Sequence, residues 1–196
     1  MIEIFRRYLQ SEIPKITAEQ IDLIESKCTL RKLRKKELLL KEGEVCDNKI
    51  FVLYGLLRNY RITGNGNEAI LRFTDKCEWT TDPESYFKGL PSNYNIDAIE
   101  DSEVILIKHG QMEYLQQQIS PFSEFMKGMM HHNAELIQKR VLISISGTAD
   151  EKYSEFMQTY PGVFNRVPLH MIASYLGLSR ETLTRVRQNL LKSRRV

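Results

Sequence analysis

The pattern of apolar and polar positions changes character twice along the chain. Over residues 1–27 apolar residues recur at helical spacing, with Ile2, Phe5 and Leu9 in one stretch and Ile21, Leu23 and Ile24 in another. Thr17, ahead of Glu19 and Gln20, supplies an N-cap region, so two short helices are predicted. From about residue 28 to 108 the pattern shifts to short alternating or wholly apolar runs separated by turn residues, the signature of strands. These runs include 37–41, 50–54, 56–62, 69–73, 95–99 and 104–107, with 75–91 less regular. Thr63-Gly64-Asn65-Gly66-Asn67 tolerates positive φ and closes a hairpin between two of them. Seven or eight short strands at this spacing predict a β-sandwich or open barrel.

From Gly110 the helical period returns. Residues 111–118 form one helix, ended by Ser120-Pro121, and a longer one runs to about Ser146 with Pro121 in its first turn. Phe122, Phe125, Met126, Met129, Ile137, Val141 and Leu142 give the long helix an apolar stripe. A helix of this length outreaches a small sheet, so the stripe reads as a dimer seam rather than only a contact with its own sheet. His131 and His132 read as surface or seam residues. Gly147 breaks the helix, Thr148 or Asp150 can cap the next, and Tyr153, Phe156, Met157 and Tyr160 give that one its apolar face. Pro161-Gly162 ends it, and residues 163–168 lead to a final helical pair.

Composition narrows the class. With 42% hydrophobic and 27% charged residues in 196, the chain is of ordinary globular composition and long enough for a sensor module plus a small second module. Its apolar runs fall far short of the roughly 20 residues that span a bilayer. The first ten residues mix Glu3, Arg6 and Arg7 into their apolar positions, unlike a signal peptide, so a cytoplasmic location is expected. Cys28, Cys46 and Cys77 have no paired spacing and read as free thiols, which suggests neither a disulfide framework nor a metal site. The expected architecture is α+β: a sensor domain over 1–119, a dimerisation helix over 120–146 and a helix-turn-helix DNA-binding domain over 147–196.

Charge is unevenly placed within a net of only +3. From Thr148 onward Lys152, Arg166, Arg180, Arg185, Arg187, Lys192, Arg194 and Arg195 face four acidic residues, and six of these eight cations follow Gly177. Such a local electropositive face neutralises phosphates.

The densest signal lies over residues 169–190. A helix-turn-helix needs a small residue where its helices cross, a glycine at the sharp turn, and apolar residues that bury the second helix. Ala173, Gly177, Leu183 and Val186 meet those needs, with Ile172, Leu176 and Leu178 filling the small core. Ser179 N-caps the second helix, with a capping-box-like partner at Thr182 or Glu181. Its early exposed side chains would enter the major groove. Arg180 and Arg185 can each donate two hydrogen bonds to guanine and Glu181 can accept one from cytosine, while Ser179, Thr182, Thr184 and Arg187 suit phosphates or bases.

Residues 172–190, above all Gly177-Leu178-Ser179-Arg180-Glu181-Thr182-Leu183-Thr184-Arg185, resemble the recognition helix of the Crp/Fnr (cyclic-AMP receptor protein and fumarate-nitrate regulator) family, whose Arg-Glu and later Arg read bases. Leu39-Leu40-Lys41-Glu42-Gly43-Glu44, followed by residues 50–57, is similar to the early strands of that family's cyclic-nucleotide-binding fold. The order of β-roll, long helix and helix-turn-helix matches as well. The resemblance implies a transcription regulator that binds double-stranded DNA as a homodimer through the 120–146 helix, one recognition helix in each half of a palindromic operator. RNA polymerase is a further candidate partner; no membrane is expected. An effector, or the packing of the sheet domain, would bias the dimer between arrangements that set the spacing of the recognition helices.

Two departures from the family pattern follow. Members that bind cyclic nucleotides carry a Gly-Glu-Leu segment and a later Arg-Ser or Arg-Thr pair. Here residues 78–87 and 93–95 have no Gly-Glu, and no arginine stands between Arg72 and Arg140, so a cyclic phosphate would lack its bidentate cation. No cofactor is expected and the effector is left open, with Trp79, Tyr86 and Tyr94 as a candidate apolar pocket beside their plainer role in the core. The family's β-hairpin wing is expected to be reduced because the sequence stops at Val196, with Lys192, Arg194 and Arg195 making backbone contacts instead.

Two other classes stand beside this reading. An enzyme would need a nucleophile motif, a metal-ligand cluster or a glycine-rich phosphate loop, and Gly64-Asn65-Gly66 lacks the strand-to-helix setting of the last, so none is expected. A ligand-sensing module acting through a protein partner would show itself by binding no DNA.

Overall fold

The computed structural model describes the backbone of residues 2–193 and the side chains of residues 2–190. Two helices open the chain, α1 (Ile2–Glu12) and α2 (Ala18–Ser26). The Thr17 hydroxyl accepts from the Gln20 amide at 3.3 Å while the Gln20 side chain accepts from the Thr17 amide at 3.1 Å, a reciprocal cap that fixes where α2 begins. Eight strands follow: β1 (Thr29–Leu33), β2 (Leu38–Leu40), β3 (Asn48–Tyr54), β4 (Leu57–Ile62), β5 (Glu68–Thr74), β6 (Trp79–Thr80), then, after the short helix α3 (Pro83–Lys88), β7 (Asn95–Ala98) and β8 (Ser102–Lys108). They pair antiparallel in two four-stranded sheets, ordered β1-β8-β3-β6 and β2-β7-β4-β5. The remaining helices are α4 (His109–Gln118), α5 (Ser120–Ser146), α6 (Ala149–Thr159), α7 (Leu169–Leu176) and α8 (Arg180–Ser193).

The stretch 75–91, irregular to sequence analysis, holds β6 and α3. A two-residue strand and a six-residue helix are too short to show a period. The helix does carry its start signal, since Asp82 is the N-cap and Pro83 lies in the first turn.

Three apolar clusters hold the chain together. The first joins α1, α2, α4 and the first half of α5 to one sheet, around Phe5, Phe51 and Trp79, whose ring centroids lie 4.8 to 5.8 Å apart. The second, with Ile50, Val52, Leu57, Ile96 and Val104, lies between the two sheets. The third crosses from the sheets into the C-terminal helices: Leu56, Tyr60, Ile70, Phe73 and Ile99 pack with Tyr153, Phe156, Val163, Ile172, Leu176, Leu183 and Val186.

This packing gives Trp79, Tyr86 and Tyr94, set out above as a candidate pocket or as core residues, separate places. Trp79 is a member of the first cluster, and Tyr86 stands against His109 at 4.6 Å and against Phe87. Tyr94 is half-buried in the segment before β7. No ring contact joins the three among the described residues. Aromatic side chains in a β-rich stretch fill the core because each buries more apolar area than any other residue type.

Candidate nucleic-acid interface

The C-terminal module is built on a helical pair with a fixed corner. Helix α7 ends at Gly177, whose φ of +64° lies in the left-handed region that side chains with a Cβ resist, and the Leu178 amide returns to the Ala173 carbonyl at 3.0 Å. Ser179 then starts α8: its hydroxyl oxygen accepts from the Thr182 amide at 3.1 Å. Leu183 and Val186 are buried against Ile172, Ala173 and Leu176, and Ala173 is the small residue at the crossing.

Burying Leu183 and Val186 leaves the opposite face of α8 in solvent. Arg180, Glu181, Thr184, Arg185 and Gln188 line one shallow open groove along it. The Glu181 carboxyl is held below the usual carboxylate range by the backbone amide at the helix start, then by the Ser179 hydroxyl, with Arg180 adding attraction. The Thr184 hydroxyl donates to the Arg180 carbonyl at 2.8 Å, which steadies the first turn. The face therefore offers two guanidiniums, one ionised carboxylate and one amide at the spacing of successive helical turns, the set of groups that reads guanine, cytosine and adenine edges.

The seven residues singled out from sequence divide by position. Arg180, Glu181, Thr184 and Arg185 share the exposed face. Ser179 and Thr182 use their hydroxyls on each other at 3.0 Å as part of the cap. Arg187 turns back over the Phe164 ring at 4.9 Å, which anchors α8 to the segment before α7. Gln188 was missed, although its offset of four from Thr184 and three from Arg185 places it on the same stripe. The side chain of Lys192, and Arg194 and Arg195, lie outside the described residues, as does any wing.

A guanidinium clamp sets the module against the sheets. Arg166 gives one terminal nitrogen to both oxygens of Asp75 at 2.7 and 2.8 Å. The other reaches Glu100 at 2.5 Å and the Gly55 carbonyl at 3.0 Å. Gly55 is required there: its φ is +96°, and an added Cβ would stand 2.1 Å from the Ser102 hydroxyl. A cleft of about 440 Å³ runs between the β4–β5 hairpin and α7, lined by Gly66, Asn67, His170, Ser174, Leu178 and Arg180 among others.

Comparison with known proteins agrees with this arrangement. The family model for the cyclic nucleotide-binding domain matches residues 30–118. The chain is similar to the anaerobic regulatory protein of Bacillus subtilis, 23% identical with 93% of this chain and 81% of that protein covered. It is also similar to the transcriptional activator protein Anr of Pseudomonas aeruginosa, 25% identical with 80% and 68% covered. Among solved structures, FixK2 from Bradyrhizobium japonicum superposes with a TM-score of 0.73 at 20% identity, covering 85% of each chain. A protein of the Crp/Fnr family from Eubacterium rectale superposes at 0.69 and 16% identity, covering 95% of this chain and 88% of that one.

Residues 30–118 match a cyclic nucleotide-binding domain, and the chain has the fold of the Crp/Fnr regulators.

In the segment that sequence analysis set beside the phosphate-binding stretch of that family, the backbone amides at the start of α3 are taken by a side chain of the chain itself. Asp82, 1% exposed, accepts from the Glu84 and Ser85 amides at 3.1 and 3.3 Å through one oxygen, and from the Ser92 hydroxyl at 2.6 Å through the other. The amides at the start of α3 thus already hold a buried carboxylate, which repels a second anion. Among the described residues no group of three or more His, Cys, Asp or Glu side chains is arranged to hold a metal ion, and no helix is long and apolar enough to cross a membrane.

Proposed function

We propose that the chain is a sequence-specific DNA-binding transcription regulator that acts as a homodimer on a palindromic operator and does not respond to cyclic AMP. The observation that carries the reading is the exposed stripe Arg180, Glu181, Arg185 and Gln188, on a capped helix whose other face is locked onto α7. Such a helix enters the major groove with its N-terminal residues against base edges. The dimer reading is supported by α5. Met130, Ala134, Ile137 and Val141 are exposed and follow steps of four, three and four, the seam spacing of a two-stranded coiled coil. Ile145, one turn on, is 81% exposed.

We divide the work as sensing by residues 1–119, pairing by 120–146 and DNA contact by 147–196, in the cytoplasm and with RNA polymerase as the downstream partner. Asp82 supports an effector other than a cyclic nucleotide, because its carboxylate stands on the amides a phosphate would use.

The test is selection from a random DNA library with the purified chain and no ligand, then salt titration on the selected sequence with wild type, Arg180→Ala and Arg185→Ala. Enrichment of a palindrome, a steep fall of affinity with salt and loss of specific binding in both variants is the expected result. Failure to enrich any sequence, with or without a metabolite mixture, overturns it in favour of a sensor acting through a protein partner.

A further inference from the structure

Strand β5 lies at the edge of its sheet, so one row of its backbone groups has no strand partner. Exposed edges of this kind are managed by covering them. Here two side chains from outside the sheets take the row. The Ser174 hydroxyl, on α7, accepts from the Ile70 amide at 3.0 Å and donates to the Glu68 carbonyl at 2.5 Å. The Arg140 guanidinium, on α5, donates to the Leu71 carbonyl and to the Ile70 carbonyl at 3.3 Å.

Arg140 does more than close the edge. Its second terminal nitrogen also donates to the Tyr175 carbonyl on α7 at 3.2 Å, and its central carbon lies over the Tyr175 ring, 3.9 Å from the ring centre. One side chain therefore binds the sensor sheet, the long helix and the first helix of the helix-turn-helix. It sits between Ile137 and Val141 in sequence, on the helix whose exposed stripe we assign to the dimer. An ion pair also runs from this part of α5 to the module, Lys139 with Glu155 at 2.8 Å, but its lysine is 56% exposed and the pair is weakened by solvent. Guanidinium geometry suits the junction role: its donors lie in a rigid plane, so three carbonyls on two elements fix the angle between them as well as the distance.

We propose that Arg140 is the positioning residue that fixes α7 and α8 relative to the dimer helix, and thereby sets the separation between half-sites that the protein accepts. The inference rests on the DNA-binding dimer reading. Base contacts by Arg180 and Arg185 choose the sequence of each half-site; Arg140 chooses how far apart the two halves lie.

The experiment uses the operator selected by the full chain, rebuilt with its central spacer lengthened or shortened by one and two base pairs, and compares wild type with Arg140→Met and Arg140→Lys. Each inserted pair moves a half-site along and around the duplex, so wild type is expected to prefer its own spacing by about tenfold or more. Arg140→Met is expected to stay dimeric and to bind a single half-site as wild type does, while its preference among spacings falls to within about twofold. Arg140→Lys keeps the charge and stem but not the planar fork, is expected to behave likewise, and replaces the methionine variant if that one does not fold. Wild-type spacing preference in the folded variant overturns the inference and leaves the DNA-binding reading standing. A wild-type chain that selects no operator overturns both.

Discussion

Phe73 of β5 and Phe156 of α6 meet edge to face, with ring centroids 6.1 Å apart and planes at 74°, and both are buried to 1% exposure or less. Tyr160 and Tyr175 complete the aromatic group around Phe73. The module that carries α7 and α8 thus shares a core with the sheets, so it is seated on them rather than tethered to them. Such a core couples the two parts in unfolding. Phe156→Ala is expected to cost about 3–5 kcal/mol. It should lower the midpoint read by fluorescence of Trp79, which lies in a different cluster, in step with the loss of helical signal. Two separate transitions in wild type would contradict the shared core.

Removing the Arg166 clamp leaves Asp75 and Glu100 facing each other without their cation. The site is partly exposed, at 29% for the arginine side chain, so solvent softens the penalty. Arg166→Met is expected to destabilise by about 1–3 kcal/mol in urea unfolding. Adding Glu100→Gln to that variant should recover part of the loss, whereas Glu100→Gln alone should destabilise. Equal losses in the single and double variants would show that Glu100 is not the partner that matters.

How much of this was legible beforehand depends on the range of the signal. Helix periods, the Thr17 cap and the Gly177 corner are local and stand where the sequence put them, and of the two candidate caps for α6 the structure uses Thr148. The exposed face of α8 follows from the burial of Leu183 and Val186, which spacing alone gives. The junction was not legible. Arg140 reaches carbonyls 69 and 70 residues away, and Arg166 joins partners 66, 91 and 111 residues away. Backbone carbonyls carry no sequence signature, so an arginine that binds three of them looks like any surface cation. Trp79 stayed open between two roles, because an aromatic residue in a β-rich stretch reads the same in a pocket as in a core, and its place in the core is a matter of long-range packing.

Lys49 on β3 is 9% exposed, and burial, reinforced by the nearby Arg72 cation, pulls its ammonium pKa down to about 8. Below that value it is charged in both folded and unfolded chains, and the cost of burying the charge is fully present. Between about 8 and the ordinary lysine value near 10.4 the unfolded chain binds more protons, so this group makes stability rise with pH, by on the order of 2–3 kcal/mol in total. Lys49→Met is therefore expected to be more stable than wild type at pH 7 and to match it near pH 10.5. The difference between the two proteins is the measurement, since buried thiols and phenols titrate in the same range with the opposite sign. A methionine variant less stable at pH 7 would mean that the ammonium has a stabilising partner.

Helix α5, which we propose as the dimer seam, gives the sharpest separation of folding from function. Ile137 and Val141 are 61% and 51% exposed in the single chain, so replacing them leaves the monomer's core untouched. Ile137→Glu with Val141→Glu would place four like charges across a seam that otherwise buries apolar side chains, and electrostatic and hydrophobic terms both then oppose pairing. The double variant is expected to sediment as a monomer at micromolar concentration, with wild-type stability in urea. Two half-sites bound by separate chains no longer reinforce each other through a shared helix, so affinity for the full operator should fall by about a hundredfold or more while affinity for one half-site is unchanged. If the variant stays dimeric, the pairing surface lies elsewhere, and the position of Arg140 beside this seam loses its bearing on operator spacing.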